Sequence, residues 1–203
     1  ESADAIDSER VKEAIIHAHE ETNDSLPAKL STMGGCTANI ILRLGTTLYM
    51  SNVGDSYSYL VTYSTVKNEF HNYKKVNNDL QHHLQGSLMI HHVNTRHKPH
   101  LPDESSRILS LGGRVHIPEP PKSAMGSRVI IKNGLKRDSN DDRVGLTMSR
   151  SIGDLEFTKI GVIPTPDIIV IDLKELFEGL DEKSKVFVVV ASDGLFDHRN
   201  MEF

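Results

Sequence analysis

The chain has 203 residues, 28 of them acidic and 23 basic, so its formal net charge is −5. This length suffices for one domain with a substantial core, and the acidic excess argues against a nucleic-acid-binding protein, which usually carries a basic face. No apolar run approaches the roughly 20 residues of a membrane-spanning helix, so no membrane partner is predicted.

The first third of the sequence changes from a helix-like to a strand-like pattern. Apolar side chains recur at helical spacing over residues 8–23, behind a candidate N-cap, and predict an amphipathic helix. Three strands are predicted over about 36–44, 47–53 and 57–63. Because only short turns separate these strands, we expect an antiparallel meander.

The middle of the chain is mostly polar. Residues 64–92 are rich in Asn, His and Lys without a clear period, which indicates an inserted surface loop or an extended hairpin. Residues 103–111 predict a short helix that a Gly-Gly pair ends. Residues 116–142 hold three prolines and a charged run, and we interpret them as a mobile, flap-like segment.

The last quarter returns to short, regular elements. We predict a short helix at about 149–154, a strand at about 167–172 and a helix or turn over 173–180. A terminal strand follows at 185–191. It contains six consecutive apolar residues, mostly β-branched, which predict a strand buried on both faces.

Carboxylates follow two of these predicted strands. Asp193 comes after the terminal strand, with Asp197 four residues on, and Asp55 follows the strand at 47–53. A carboxylate at the end of a buried strand is costly unless a cation or donor compensates its charge, and Mg²⁺ prefers such oxygen ligands. These aspartates are therefore candidates for one shared metal site. The simpler interpretation is that Ser192 and Asp193 cap a helix, and these residues alone leave both open.

Six blocks carry a resemblance to a known family. They are Gly34-Gly35-Cys36-Thr37-Ala38, Asn52-Val53-Gly54-Asp55-Ser56, His97-Lys98-Pro99 with Arg107-Ile108 and Gly112-Gly113, Ser149-Arg150-Ser151-Ile152-Gly153-Asp154, Gly161-Val162-Ile163-Pro164 with Pro166-Asp167-Ile168, and Ala191-Ser192-Asp193-Gly194-Leu195-Phe196-Asp197. In this order they resemble the metal-dependent phosphatases of the protein phosphatase 2C family, over roughly residues 33–203.

The resemblance implies an α+β fold, a four-layer α-β-β-α sandwich of two antiparallel β-sheets flanked by helices. Residues 1–203 would form a single partial domain of that fold, incomplete at both ends. The implied activity is hydrolysis of phosphoserine and phosphothreonine in protein substrates by water that Mg²⁺ or Mn²⁺ activates. We expect a monomer, in the cytoplasm or nucleus by default.

The resemblance also assigns roles to individual side chains. Asp193 matches a ligand of the two core metals, and Asp55 and Asp197 match aspartates that help to hold a third, weaker metal. The structural alternatives are an Asx turn for Asp55 and a carboxylate at a helix N-terminus for Asp197. Arg150 would either clamp a phosphate through its planar fork or form a structural ion pair, and we prefer the ion pair.

Parts of the family pattern are not found. Nothing before residue 33 matches the family's first segment, which holds an Arg for phosphate, a D-G-H-G-G turn with a bridging Asp, and a His proposed as general acid. The family's last Asp ligand would lie beyond Phe203, and both ends of the chain look cut. No catalytic residue is therefore assigned, and we expect the isolated chain to be inactive. Tyr57 and Arg96 are milder departures, since they replace an Arg and an Asp of the family pattern.

Two functions remain open on this basis. The chain is either part of an active phosphatase or a catalytically dead pseudophosphatase that acts as a protein-interaction module.

Overall fold

The computed structural model describes residues 7–27, 34–64, 87–118, 126–131, 145–178 and 180–195. Its helices are α1 (Ser8–Asp24), α2 (Pro102–Ser110), α3 (Leu155–Thr158) and α4 (Leu173–Glu178). Its strands are β1 (Gly35–Cys36), β2 (Ala38–Leu44), β3 (Thr47–Val53), β4 (Tyr57–Ser64), β5 (Ser87–Val93), β6 (Arg114–His116), β7 (Arg128–Ile130), β8 (Ile152–Gly153), β9 (Asp167–Asp172) and β10 (Lys185–Ala191). This mixture of helices and strands confirms the predicted α+β class.

Helix α1 begins at a side-chain cap. The carboxylate of Asp7 accepts hydrogen bonds from the backbone N–H groups of Glu9 and Arg10, at 3.1 and 3.4 Å. These two amides have no partner within the helix, so the cap stabilises its first turn. The two buried residues of α1 are polar, His19 and Asn23. The predicted helix is confirmed, and its buried side chains make hydrogen bonds to Ser51 and Gly153.

The described strands form four small sheets, in the orders β1–β8, β10–β4–β5, β2–β3–β9 and β6–β7. The pairings β1–β8, β10–β4, β4–β5 and β6–β7 are antiparallel. Strand β5 lies inside the predicted insertion and pairs with β4, as the hairpin alternative requires. Strand β7 lies inside the predicted flap, where its Val129 is fully buried. Residues 65–86 of the predicted insertion, and residues 119–125 and 132–142 of the predicted flap, lie outside the described residues.

The predicted meander is wrong between β3 and β4, which are consecutive in the chain but belong to different sheets. Gly54 stands between them with a φ of 98°, a left-handed conformation that favours glycine. A Cβ atom at this position would lie 2.3 Å from the Cγ2 atom of Thr37. The chain therefore turns sharply here and leaves the first sheet.

The helix predicted at about 149–154 is also wrong. Ile152–Gly153 forms strand β8, and helix α3 begins only after Asp154. Gly153 and Asp154 have φ angles of 90° and 50°, and neither angle is compatible with a right-handed helix. The two left-handed residues thus separate the short strand from the helix.

Strand β10 has the predicted bounds, but the prediction that both of its faces are buried is wrong. Phe187 and Val190 are each 46% exposed, and β10 lies at the edge of its three-stranded sheet. An apolar run predicts a strand, whereas its burial depends on what packs against it.

The described residues fall into two compact units. The first comprises Glu1–Ala38, Ser51–Asp55 and Arg96–Ile168, and the second Asn39–Met50, Ser56–Thr95 and Ile169–Phe203, each without its undescribed residues. Each unit has its own apolar core, which is centred on Ile108, Val129 and Val162 in the first and on Leu48, Met50, Leu60, Ile171 and Leu173 in the second. A single partial domain over residues 1–203 stays a prediction.

The close approach of β1 and β8 generates a stability prediction. In Gly153→Ala, the new Cβ atom would lie 2.6 Å from the carbonyl oxygen of Gly34, at a φ of 90°. We expect the free energy of unfolding to fall by more than about 2 kcal/mol, because the strain and the clash add. The measurement is urea denaturation. Gly126→Ala is the control, since its Cβ atom would meet only the Cγ atom of Pro118, at 3.4 Å, and an equal loss there would contradict the explanation.

Candidate functional site

The corner after β3 is fixed by His97. The backbone N–H of His97 donates to the carbonyl oxygen of Gly54 at 3.0 Å, and the N–H of Gly54 donates to Nδ1 of His97, also at 3.0 Å. Because Nδ1 accepts, the proton of the neutral ring lies on Nε2. That atom is 3.1 Å from Oδ2 of Asp167, and the imidazole is buried. His97 therefore connects the corner to the start of β9.

Asp55 lies at the same corner and forms a buried ion pair with Lys98. The two residues are only 2% and 3% exposed, and Nζ of Lys98 donates to the Asp55 carboxylate. The ammonium group also donates to the carbonyl oxygen of Thr147 at 3.3 Å, and Arg96 donates to the backbone carbonyl of Asp55 at 2.8 Å. A buried carboxylate needs a compensating charge, and in this structure Lys98 supplies it.

Glu104 is a second buried carboxylate, on helix α2. It accepts two hydrogen bonds from Arg107 at 2.5 and 3.0 Å, two from Arg150 at 2.8 and 3.1 Å, and one from the Ser149 hydroxyl at 2.5 Å. Burial by itself raises the pKa of this carboxyl, but the hydrogen bonds from Arg107, Arg150 and Ser149 outweigh burial and lower the pKa to about 2. Glu104 is thus a charged centre that joins α2 to the segment before β8.

Arg150 connects Glu104 to Asp167. Its Nη1 atom donates to Oδ1 of Asp167 at 2.8 Å and to the carbonyl oxygen of Thr165 at 3.0 Å. The pKa of Asp167 is lowered to about 2, first by the adjacent imidazole of His97 and, against the effect of burial, also by the charge of Arg150. The guanidinium group is engaged on all sides, so the predicted structural ion pair is confirmed.

The carboxylates after β10 have different surroundings. Asp193 is half-buried and opens a 3₁₀ turn, Asp193–Leu195, directly after the strand. Asp197 lies outside the described residues. Within the part of the chain that the structure describes, no three or more His, Cys, Asp or Glu side chains gather closely enough to hold a metal ion. Carboxylates such as Asp193 have the right chemistry for Mg²⁺ or Mn²⁺, whereas Asp55 already has a cationic partner.

Sequence reasoning did not identify Glu104 and Asp167 as the partners of the buried basic residues. A signal was nevertheless present, because Lys98, Arg107 and Arg150 all lie in family blocks that also hold apolar residues. Basic side chains in such positions are rarely buried without a carboxylate. The sequence pattern does not say which carboxylate each cation takes.

No helix among the described residues is long and apolar enough to cross a membrane.

The charge state of Glu104 predicts a pH dependence of stability. Its pKa in the folded protein is about 2, below the ordinary 4.5, so its stabilising contribution is complete above about pH 5 and is lost as the pH falls through 2. We expect a loss of about 2–3 kcal/mol over this range from Glu104, and less from the more exposed Asp167 because solvent screens it. Urea denaturation between pH 2 and 6 measures the slope.

Glu104→Gln should flatten that slope, while Glu178→Gln, which removes an exposed carboxylate from α4, should leave it as in the parent chain. An unchanged slope in Glu104→Gln would refute the assignment.

We predict that substitutions of Asp55 and Lys98 have strongly coupled effects on the free energy of unfolding. Asp55→Asn and Lys98→Met should each lower the free energy of unfolding by about 3–5 kcal/mol, because each leaves an unpaired buried group. The double variant should cost much less than the sum of the two. The exposed pair Glu9–Lys12, 2.7 Å apart, provides the control cycle, with an expected coupling of about 0–1 kcal/mol. Additive effects at Asp55 and Lys98 would rule out the pair as a stabilising unit.

Comparisons with known proteins identify the family of this chain. The model of the family "Protein phosphatase 2C" matches residues 2–202. "Probable protein phosphatase 2C 12" of Oryza sativa subsp. japonica is 29% identical over 163 residues, which are 80% of this chain and 33% of that protein. "Probable protein phosphatase 2C 64" of the same organism is 32% identical over 168 residues, 80% of this chain and 30% of that protein. The chain thus spans about a third of the length of these curated relatives.

A solved structure supports the fold. The serine-threonine phosphatase 2C from Toxoplasma gondii has a TM-score of 0.55 and 17% identity to this chain, and the match covers 95% of this chain and 49% of that one. At this identity the likeness concerns the fold, and the family follows from the match over residues 2–202. This chain belongs to the protein phosphatase 2C family.

Proposed function

We propose that this chain contributes to the hydrolysis of phosphoserine and phosphothreonine in protein substrates. The observation that carries the proposal is the family match over residues 2–202. The contacts of His97, Lys98 and Arg150 support it, because these side chains lie in the family blocks and each has a defined partner, which is the N–H of Gly54, Asp55 and Glu104 respectively. Monomeric state and a cytoplasmic or nuclear location remain predictions.

Asp193 and Asp197 are the metal ligands that we propose in this chain, for Mg²⁺ or Mn²⁺. Asp193 directly follows β10 and is half-buried, so its carboxylate is positioned by the strand and remains accessible. A bound divalent ion would lower the pKa of a water molecule and neutralise the charge of the phosphate. The chain's own contribution is to hold the carboxylate oxygens in place. For Asp55 the ion pair with Lys98 favours a structural role over the predicted third-metal role, although this role differs from the Asx turn that the sequence suggested.

The isolated 203 residues should hydrolyse phosphopeptides slowly or not at all. This inference rests on the described residues, which bring no three potential ligands together, while a pair of divalent ions needs several carboxylates to offset their mutual repulsion. The same observation favours the alternative function, a pseudophosphatase that binds protein partners.

The test compares phosphate release from a phosphothreonine peptide in the presence of Mn²⁺ by the 203-residue chain and by the product of the complete reading frame that encodes it. Activity of the complete product that requires Mn²⁺ and disappears in Asp193→Asn supports the phosphatase. Absence of both activity and Mn²⁺ binding in the complete product supports the pseudophosphatase instead.

The two kinds of aspartate should respond differently to substitution. Asp193→Asn should weaken Mn²⁺ binding to the complete product at least about tenfold, since even outer-shell changes cost this much, and change the free energy of unfolding by less than about 0.5 kcal/mol. Asp55→Asn should do the reverse, destabilising the protein with unchanged Mn²⁺ affinity. Calorimetric titration and urea denaturation measure the two effects.

Asp172→Asn is the matched control for that comparison, because Asp172 is an exposed carboxylate at the end of another strand, β9. Loss of Mn²⁺ affinity in Asp55→Asn would instead support the predicted role of Asp55 as a metal ligand.

A further inference from the structure

Thr165 is followed by Pro166, and this is the one position in the sequence where a proline follows Ser or Thr. Pro164 precedes it, so residues on both sides have a fixed φ. A residue before proline is also pushed into extended conformations. In the structure residues 164–166 form neither helix nor strand. Thr165 is half-buried and Pro166 is buried, so a kinase reaches them when this segment opens locally. An extended Thr followed by Pro is the substrate pattern of proline-directed protein kinases. In the family pattern Gly-Val-Ile-x-x-Pro-Asp, Thr165 occupies an unspecified position.

The hydroxyl group of Thr165 holds helix α1. Its Oγ1 atom donates a hydrogen bond to Oε1 of Glu20 at 2.8 Å. Two further polar contacts attach the same side of the helix: Nε2 of His19 lies 3.2 Å from the Ser51 hydroxyl, and the Asn23 side chain accepts from the N–H of Gly153 at 2.9 Å.

Docking through hydrogen bonds makes α1 sensitive to one added charge. Both buried residues of the helix are polar, so apolar burial contributes less to its attachment than in an ordinary amphipathic helix. A hydrogen bond is directional and its net contribution is small. Replacing a donor by an anion turns one of these attachments into a repulsion.

We propose that Thr165 is a phosphorylation site for a proline-directed protein kinase, and that the phosphate releases α1. The kinase transfers the γ-phosphoryl group of a nucleoside triphosphate to Oγ1. The new P–O bond forms as the bond to the β-phosphate oxygen breaks, the nucleoside diphosphate leaves, and the hydroxyl proton passes to a base of the kinase. The product has lost the donor to Glu20 and carries a charge of about −1.5 to −2 opposite that carboxylate.

The nearby guanidinium does not relieve this repulsion. Arg150 reaches the backbone carbonyl of Thr165, but it already donates to the carboxylates of Glu104 and Asp167. Asp167 itself lies two residues from the phosphate and adds a further negative charge. The local balance of charge therefore favours separation of Glu20 and the modified Thr165.

The test is phosphorylation of the full chain by a proline-directed kinase with ATP, followed by mass-spectrometric mapping. We expect incorporation at Thr165, none there in Thr165→Val, and at least about tenfold less in Pro166→Ala, which keeps the hydroxyl and removes the recognised proline. Hydrogen exchange then compares α1 in the modified and unmodified chains. The α1 amides should exchange about tenfold faster after modification, since added charge lowers the free energy of local opening.

Thr165→Val removes the hydrogen bond to Glu20 without adding a charge. The α1 amides of this variant should exchange only slightly faster than those of the parent chain. An unmodified Thr165 after the same kinase has phosphorylated its standard substrate overturns the site. Modification at Thr165 with unchanged exchange in α1 overturns the release mechanism.

Discussion

The buried carboxylate of Glu104 is the interaction on which the first unit depends. Five hydrogen bonds converge on it, from two arginines and a serine hydroxyl. From Glu104 the network continues through Arg150 to Asp167, and from Asp167 to His97, which fixes the corner at Gly54. These contacts are directional and largely buried. They therefore position four segments together: helix α2, the segment before β8, the start of β9 and the corner after β3.

Such a network defines geometry more than it adds stability. Burying two opposite charges costs desolvation that their attraction often only offsets, whereas removing one partner leaves a costly unpaired charge. Glu104 has enough donors to remain ionised, and for the same reason its pKa is about 2. The apolar core of Ile108, Val129 and Val162 lies in the same unit. Apolar burial supplies the driving force for folding, while the ion pairs determine which segments meet.

The sequence predicted the bounds of helices and strands better than the contacts that these elements make. The bounds of α1, α2, β3, β9 and β10 agree with the local patterns, because periodicity, caps and turn residues act within a few positions. The path from β3 to β4 was not predictable in this way, since it depends on a left-handed Gly54 and on His97, which is distant in sequence. The exposure of β10 was missed for a similar reason: an apolar run does not encode its neighbours. The partners of Lys98 and Arg150 are equally non-local.

The carboxylates that follow two strands of this protein have opposite surroundings, and we propose opposite uses for them. Asp55 is almost completely buried and its charge is matched by Lys98, so a divalent ion would have to displace an ammonium group that is itself almost completely buried. Asp193 is half-buried and follows a strand whose residues are partly exposed. Ligand exchange on Mg²⁺ or Mn²⁺ needs such access, because these ions retain water when they bind. The same residue type after the same kind of strand therefore stabilises a corner in one place and remains available to a metal in the other.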